Sequence, residues 1–183
     1  MKSAARFNGH PIHPMLIPYP FAFLSSVLAF DAVGLARQDE RFGDTARMLT
    51  KAGIATALAA AVPGLIDYFL RVPQGEAKRT ATRHMLSNVS ALGVFAAAAA
   101  ARGDTARPTK TVLALEAVGT GLLSIGGWLG GSLSYHHMVG VDPEPRALAE
   151  HQATEGRALP GRASVDEGRT LVGAMGRTDR SIE

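Results

Sequence analysis

Histidine is the residue whose type and placement in this chain could do chemistry. There are six, at positions 10, 13, 84, 136, 137 and 151. Neutral imidazole is the commonest nitrogen ligand for metals, and it changes charge near neutral pH. A carboxylate such as Asp67 could ligate beside it or orient a ring from behind. There is no cysteine, which excludes disulfides and thiolate metal sites. No Gly-rich phosphate loop, nucleophile elbow or HExxH zinc motif is present. Imidazole and carboxylate therefore point to two chemistries, metal or haem ligation and proton handling.

Either chemistry needs several elements to deliver these groups to one place. Apolar residues make up 46% and charged residues 19% of the 183, with a formal net charge of +3. Those averages hide an uneven chain. Residues 15–138 form a series of apolar blocks, whereas 142–183 are polar, charged and rich in Gly and Pro. Four blocks, 15–36, 52–70, 85–101 and 112–133, are each about 17 to 22 residues long, enough to cross a hydrocarbon core of roughly 30 Å at 1.5 Å per residue. Between Val89 and Ala101 only Ser90 has a polar side chain. A helix in a soluble bundle would show a polar face at 3.6-residue spacing. The prolines between His10 and Pro20 argue against a signal peptide at the start.

The fold class predicted is all-α, an integral membrane four-helix bundle running up-down-up-down, because short loops make successive helices antiparallel neighbours. Its expected parts are a His/Pro-rich segment over 1–14, a membrane domain over 15–141 with helices at about 15–36, 52–70, 85–101 and 112–136, and a flexible, disordered polar C-terminal tail over 142–183. The basic residues sit in loops beside apolar blocks, where they meet lipid headgroups. No basic stripe with interleaved aromatics marks a nucleic-acid surface. Gly126, Gly127, Gly130 and Gly131 have the small-xxx-small spacing of close helix packing, inside the bundle or in a homo-oligomer. No internal repeat is evident from the residue types.

On this map five histidines share one side of the membrane, termed side X. His10 and His13 precede the first helix, His84 opens the third, and His136 and His137 close the fourth. Asp67 and Tyr68 end the second helix near the same side, and Asn88 shares a helix face with His84. The stretch HPIHPMLIPYP is expected to enter the bundle as an extended segment, because Pro11, Pro14, Pro18 and Pro20 remove amide donors. Towards the opposite side, Y, lie Asp31 and Glu116. Asp31 is expected to pair with Lys51 or Lys110, and Glu116 to snorkel towards water.

These residues resemble a known family. GHPIHPMLIPYP, AAVPGLIDY, RHMLSNV and GGWLGGSLSYHHMVGV, together covering about 8–141, are similar to domain-of-unknown-function family 2231, predicted bacterial membrane proteins. The resemblance implies a four-helix membrane domain. Some members look joined to Rieske-type iron–sulfur modules, which implies electron transfer. The motif falls on His10, Pro11, His13, Pro14, Pro63, Gly64, Asp67, His84, Asn88, Trp128, Gly130, Gly131, Tyr135 and one of His136 or His137. The family pattern ends Tyr-Arg-His-Gly, where this chain has Tyr135, His136, His137 and Met138.

The expected function is a small redox or metal-binding membrane protein. His10, His13, His84 and one of His136 or His137 would hold haem b or a non-haem ion (Fe, Cu or Zn), with Asp67, Asn88, Tyr135 and Trp128 in support; for a bare ion the expected ligands are His10, His13, His84 and His136. A structural or accessory subunit of a larger membrane complex, and a small proton-coupled carrier using Asp67 and Asp31, are the alternatives. Expected partners are the lipid bilayer and a redox protein or larger complex, with no nucleic acid. The expected location is a bacterial inner membrane. Lys78, Arg79 and Arg83 on side X favour both termini in the cytoplasm.

Overall fold

The computed structural model describes residues 2–141. The expected tail and His151 lie outside the described residues. A short antiparallel pairing of β1 (Arg6–Phe7) with β2 (His10–Pro11) is followed by a one-turn helix, α1 (Ile12–Leu16). Four long helices come next, α2 (Pro18–Arg37), α3 (Glu40–Leu70), α4 (Glu76–Arg102) and α5 (Lys110–Tyr135). All four are long and apolar enough to cross a membrane, α2 together with α1. In lipid a backbone must satisfy its own hydrogen bonds, which a continuous helix does.

Two helices are longer than their apolar blocks. α3 starts at Glu40 and α4 at Glu76, where the sequence suggests loops. An apolar block measures only the part of a helix in hydrocarbon. The 31 residues of α3 span about 46 Å, well beyond a hydrocarbon core of roughly 30 Å. Asp39 caps the extended start of α3 by accepting the Arg41 N–H at 3.1 Å. The Arg41 side chain bonds the same carboxylate, and this holds it below the usual carboxylate range. His84 consequently lies about two turns inside α4 rather than at its opening.

The N-terminal segment also departs from expectation. Asn8 and Gly9 both have positive φ, 46° and 86°, the geometry of a two-residue I′ hairpin turn. The turn folds His10–Pro11 back on Arg6–Phe7, with Phe7 opposite His10. The prolines do not keep the chain extended. Pro11 is the N-cap of α1, Pro14 lies in its first turn, and Pro18 and Pro20 lie in the first turn of α2. Amides there have no intrahelical acceptor, so proline costs little.

The four helices form two hairpins, α2–α3 and α4–α5, which touch each other through α2 with α5 and α3 with α4. The hairpins are copies of one design. The buried residues of α2, Pro20, Leu24, Val27 and Asp31, reappear at one constant displacement as Ala91, Phe95, Ala98 and Arg102 in α4. Ala46, Thr50, Gly53 and Ala60 of α3 likewise correspond to Val112, Glu116, Gly119 and Gly126 of α5. Contacts repeat with positions. A Cβ on Gly53 would lie 2.5 Å from Leu24, and a Cβ on Gly119 would lie 2.9 Å from Phe95. The fold is thus an internal repeat about a pseudo-twofold axis along the bundle. The buried apolar core, with Leu24, Val27, Ala91, Phe95 and Leu123, lies in its middle.

This packing predicts that Gly53→Ala and Gly119→Ala each lower stability by about 1–3 kcal/mol, the usual cost of overpacking. Gly93→Ala, whose Cβ would meet nothing within 4 Å, is expected to be neutral or slightly stabilising. Thermal unfolding of the three variants in one detergent checks the contrast.

Candidate functional site

The repeat brings two histidines together. His13 on α1 and His84 on α4 occupy equivalent positions, and their rings meet edge to face with centroids 6.3 Å apart. Each ring is fastened to the second helix of its own hairpin. His13 Nδ1 lies 2.7 Å from the Ala60 carbonyl, and His84 Nδ1 lies 2.8 Å from the Gly126 carbonyl. A carbonyl oxygen only accepts, so Nδ1 carries a proton in both rings; Nε2 of His84 lies 3.5 Å from the Asn88 amide nitrogen. One turn along each helix a glycine makes room for the ring. A Cβ on Gly64 would come within 2.8 Å of His13, and one on Gly130 within 3.0 Å of His84.

The surroundings of the pair are polar but sparse. Asn88 donates to the His84 carbonyl at 2.8 Å, and its amide packs where a Cβ on Gly126 would stand. Ser87 donates to the Leu122 carbonyl at 2.7 Å, a second fastening of α4 to α5. Asp67 acts at a distance. Its carboxylate accepts from Ser3 Oγ at 2.6 Å and from the Ala4 and Ala5 amides at 2.6 and 3.3 Å. Ile12 N–H donates to the Ala5 carbonyl at 2.9 Å. Asp67 therefore holds the segment that carries His13 instead of touching an imidazole.

The other expected site residues do not join the pair. His10 is exposed in β2, and His136 is the exposed C-cap of α5. His137 Nε2 lies 3.3 Å from Thr80 Oγ1. Trp128 and Tyr135 are 80% and 82% exposed, where amphipathic rings suit the membrane interface. Among the described residues no group of three His, Asp or Glu side chains is placed to hold an ion. The expected four-histidine set is thus reduced to two rings. His10 and His136 are exposed and His137 reaches only Thr80, whereas His13 and His84 are held against a carbonyl of a neighbouring helix.

A second polar centre lies at the other end of the bundle. Arg102 ion-pairs with Asp31 and, at 2.9 Å, with Glu116, and it donates to the Gly43 carbonyl at 3.2 Å. All three charged side chains are buried. Asp31 therefore pairs with neither Lys51 nor Lys110, and Glu116 does not snorkel. Arg102 stands one residue beyond the third apolar block, after a run of alanines, so residue type alone does not mark it as buried. The available signal was that Asp31 and Glu116 had no other basic residue within the apolar blocks.

A family model described as "Predicted membrane protein", that of domain-of-unknown-function family 2231, matches residues 9–143. No curated protein and no solved structure matches the chain.

Charge-assisted hydrogen bonds contribute about 1.5–3 kcal/mol each. Asp67→Ala is therefore expected to release the N-terminal segment while leaving the four helices folded. Hydrogen exchange should show faster exchange at Ala4, Ala5 and Ile12, with the amides of α4 and α5 unchanged.

Proposed function

The chain belongs to domain-of-unknown-function family 2231, a family of membrane proteins, and from that premise we propose that it is a small electron-transfer protein whose His13 and His84 hold haem b or one iron or copper ion. The observation that carries this reading is the paired rings, each with its Nδ1 proton on a backbone carbonyl. That hydrogen bond fixes the tautomer, aims the ring and raises the basicity of Nε2, the usual arrangement behind a ligating histidine. Two imidazoles from facing elements are the donor set of an axially ligated haem in a helical bundle. For a bare ion, the two rings would leave positions open to water.

Once bound, such a group would supply one-electron exchange. The protein's own part is to fix the two rings from opposite hairpins and surround them with helix. Gly64 and Gly130 let the rings approach the helices closely enough for their Nδ1 bonds. Asp67 keeps the N-terminal segment, and with it His13, in place.

The test is a visible absorption spectrum of the detergent-purified protein, oxidised and then reduced, with metal analysis of the same sample. The protein should be made with haem and metals in supply. A Soret band with reduced α and β bands, or stoichiometric iron or copper, is the expected result. Asparagine can donate to a carbonyl as Nδ1–H does, but has no nitrogen lone pair for a metal. His13→Asn and His84→Asn should therefore abolish binding while the bundle stays folded. Neither haem nor metal in the wild-type protein would overturn the reading and leave the rings as fasteners of an accessory membrane subunit.

A further inference from the structure

We propose that Asp31 is a proton-binding residue, exchanging its proton with water on side Y. The argument starts from a charge count. Arg102, Asp31 and Glu116 are all buried and in ion-pair contact, so one guanidinium faces two carboxyl groups. Arg102 and Glu116 belong to the same hairpin and neutralise each other with an aligned hydrogen bond. Asp31, from the other hairpin, is the surplus acid. Asp31 Oδ2 touches the Arg102 guanidinium, Asp31 Oδ1 has no hydrogen-bond partner, and Glu116 Oε2 has none either, so the cluster is one donor group short. The counterpart of Asp31 in the repeat is Arg102 itself, and the counterpart of Glu116 is Thr50, whose hydroxyl is spent on the Ala46 carbonyl. The first hairpin therefore offers Asp31 no cation of its own.

Two buried carboxylates sharing one guanidinium carry a surplus charge that is expensive, and one bound proton removes that cost. Asp31 also has a route for its proton. It is fully buried, yet it lines a cavity of about 220 Å³. The cavity's other walls include Gly34, Gln38, Gly43 and Ala106, in or beside the side-Y loops. That space is enough for several waters. The charged groups around the mouth are matched in sign. Arg107 pairs with Glu40 at 3.2 Å and Arg41 with Asp39 at 2.7 Å. Arg47 on α3 pairs with Asp44 and Asp104. None of these supplies a second cation to Asp31.

The experiment is infrared difference spectroscopy of the full chain in lipid vesicles at neutral pH, in H₂O and D₂O. The expected result is a protonated-carboxyl C=O band that shifts in D₂O, is lost in Asp31→Asn, and moves in Asp31→Glu but not in Glu116→Asp, two swaps that keep two acids beside Arg102. The wild-type band and its isotope shift need no variant, so a poorly folding variant does not blunt the test. Absence of the band means that both carboxylates are ionised and overturns the proposal. A band that moves only in Glu116→Asp also overturns it, by assigning the proton to the other acid. A band that does not shift in D₂O overturns exchange with water.

Discussion

A polar side chain inside a bilayer keeps its place only where another polar group of the protein meets it, and the two hairpins arrange such meetings at both ends of one axis. At one end the meeting groups are imidazole N–H and helix carbonyl, made twice. At the other they are a guanidinium and two carboxyl groups. Between them the packing is by small residues and apolar side chains, which suffices in lipid only because Gly53 and Gly119 let the helices of each hairpin close up. Each hairpin is held internally by its own histidine bond, and the two are joined where equivalent positions face each other.

That symmetry restricts what can stand on the axis. A residue there meets its own counterpart, so two like charges would repel at close range in a medium that screens them poorly. The two ends meet the restriction differently. On side X both positions are histidine, which is tolerable because each ring turns its Nδ1–H away from the other, to a carbonyl of its own hairpin. On side Y the two halves differ, with Asp31 in one and Arg102 in the other, so two like charges do not meet there. Glu116 in the second half then gives Arg102 a partner that the first half lacks, because Thr50 occupies the matching place. The asymmetry of the otherwise repeated fold is concentrated at this charged end.

How far the sequence could be read follows from these same residues. Four spans and a shared side for the histidines are legible because hydropathy and loop length depend on residue type. The family pattern GHPIHP with RHMLSNV also marks His13 and His84. Which rings meet is not legible, since it depends on carbonyls that carry no sequence signature. The repeat is hidden because it is one of positions, not of residue types: Leu24 matches Phe95, Thr50 matches Glu116, and Asp31 matches Arg102. The Asn8–Gly9 turn was available as a strong hairpin signal, but the prolines around it drew attention to what they forbid rather than to the first helical turns that accept them.

The separation of the two polar ends bears on the idea of a proton-coupled carrier. Leu24, Val27, Ala91, Phe95 and Leu123 fill the buried middle. The hydroxyls of Ser26, Thr50, Thr56 and Thr120 bond the backbone of their own helices, and that of Ser87 bonds the Leu122 carbonyl. Asp67, the second acid such a carrier would use, is committed to Ser3 and the amides beside it. The described residues therefore provide no polar path from Asp31 to the histidines. A proton on Asp31 would be exchanged with one side only, and its consequence would be electrostatic: it sets the net charge buried beneath side Y.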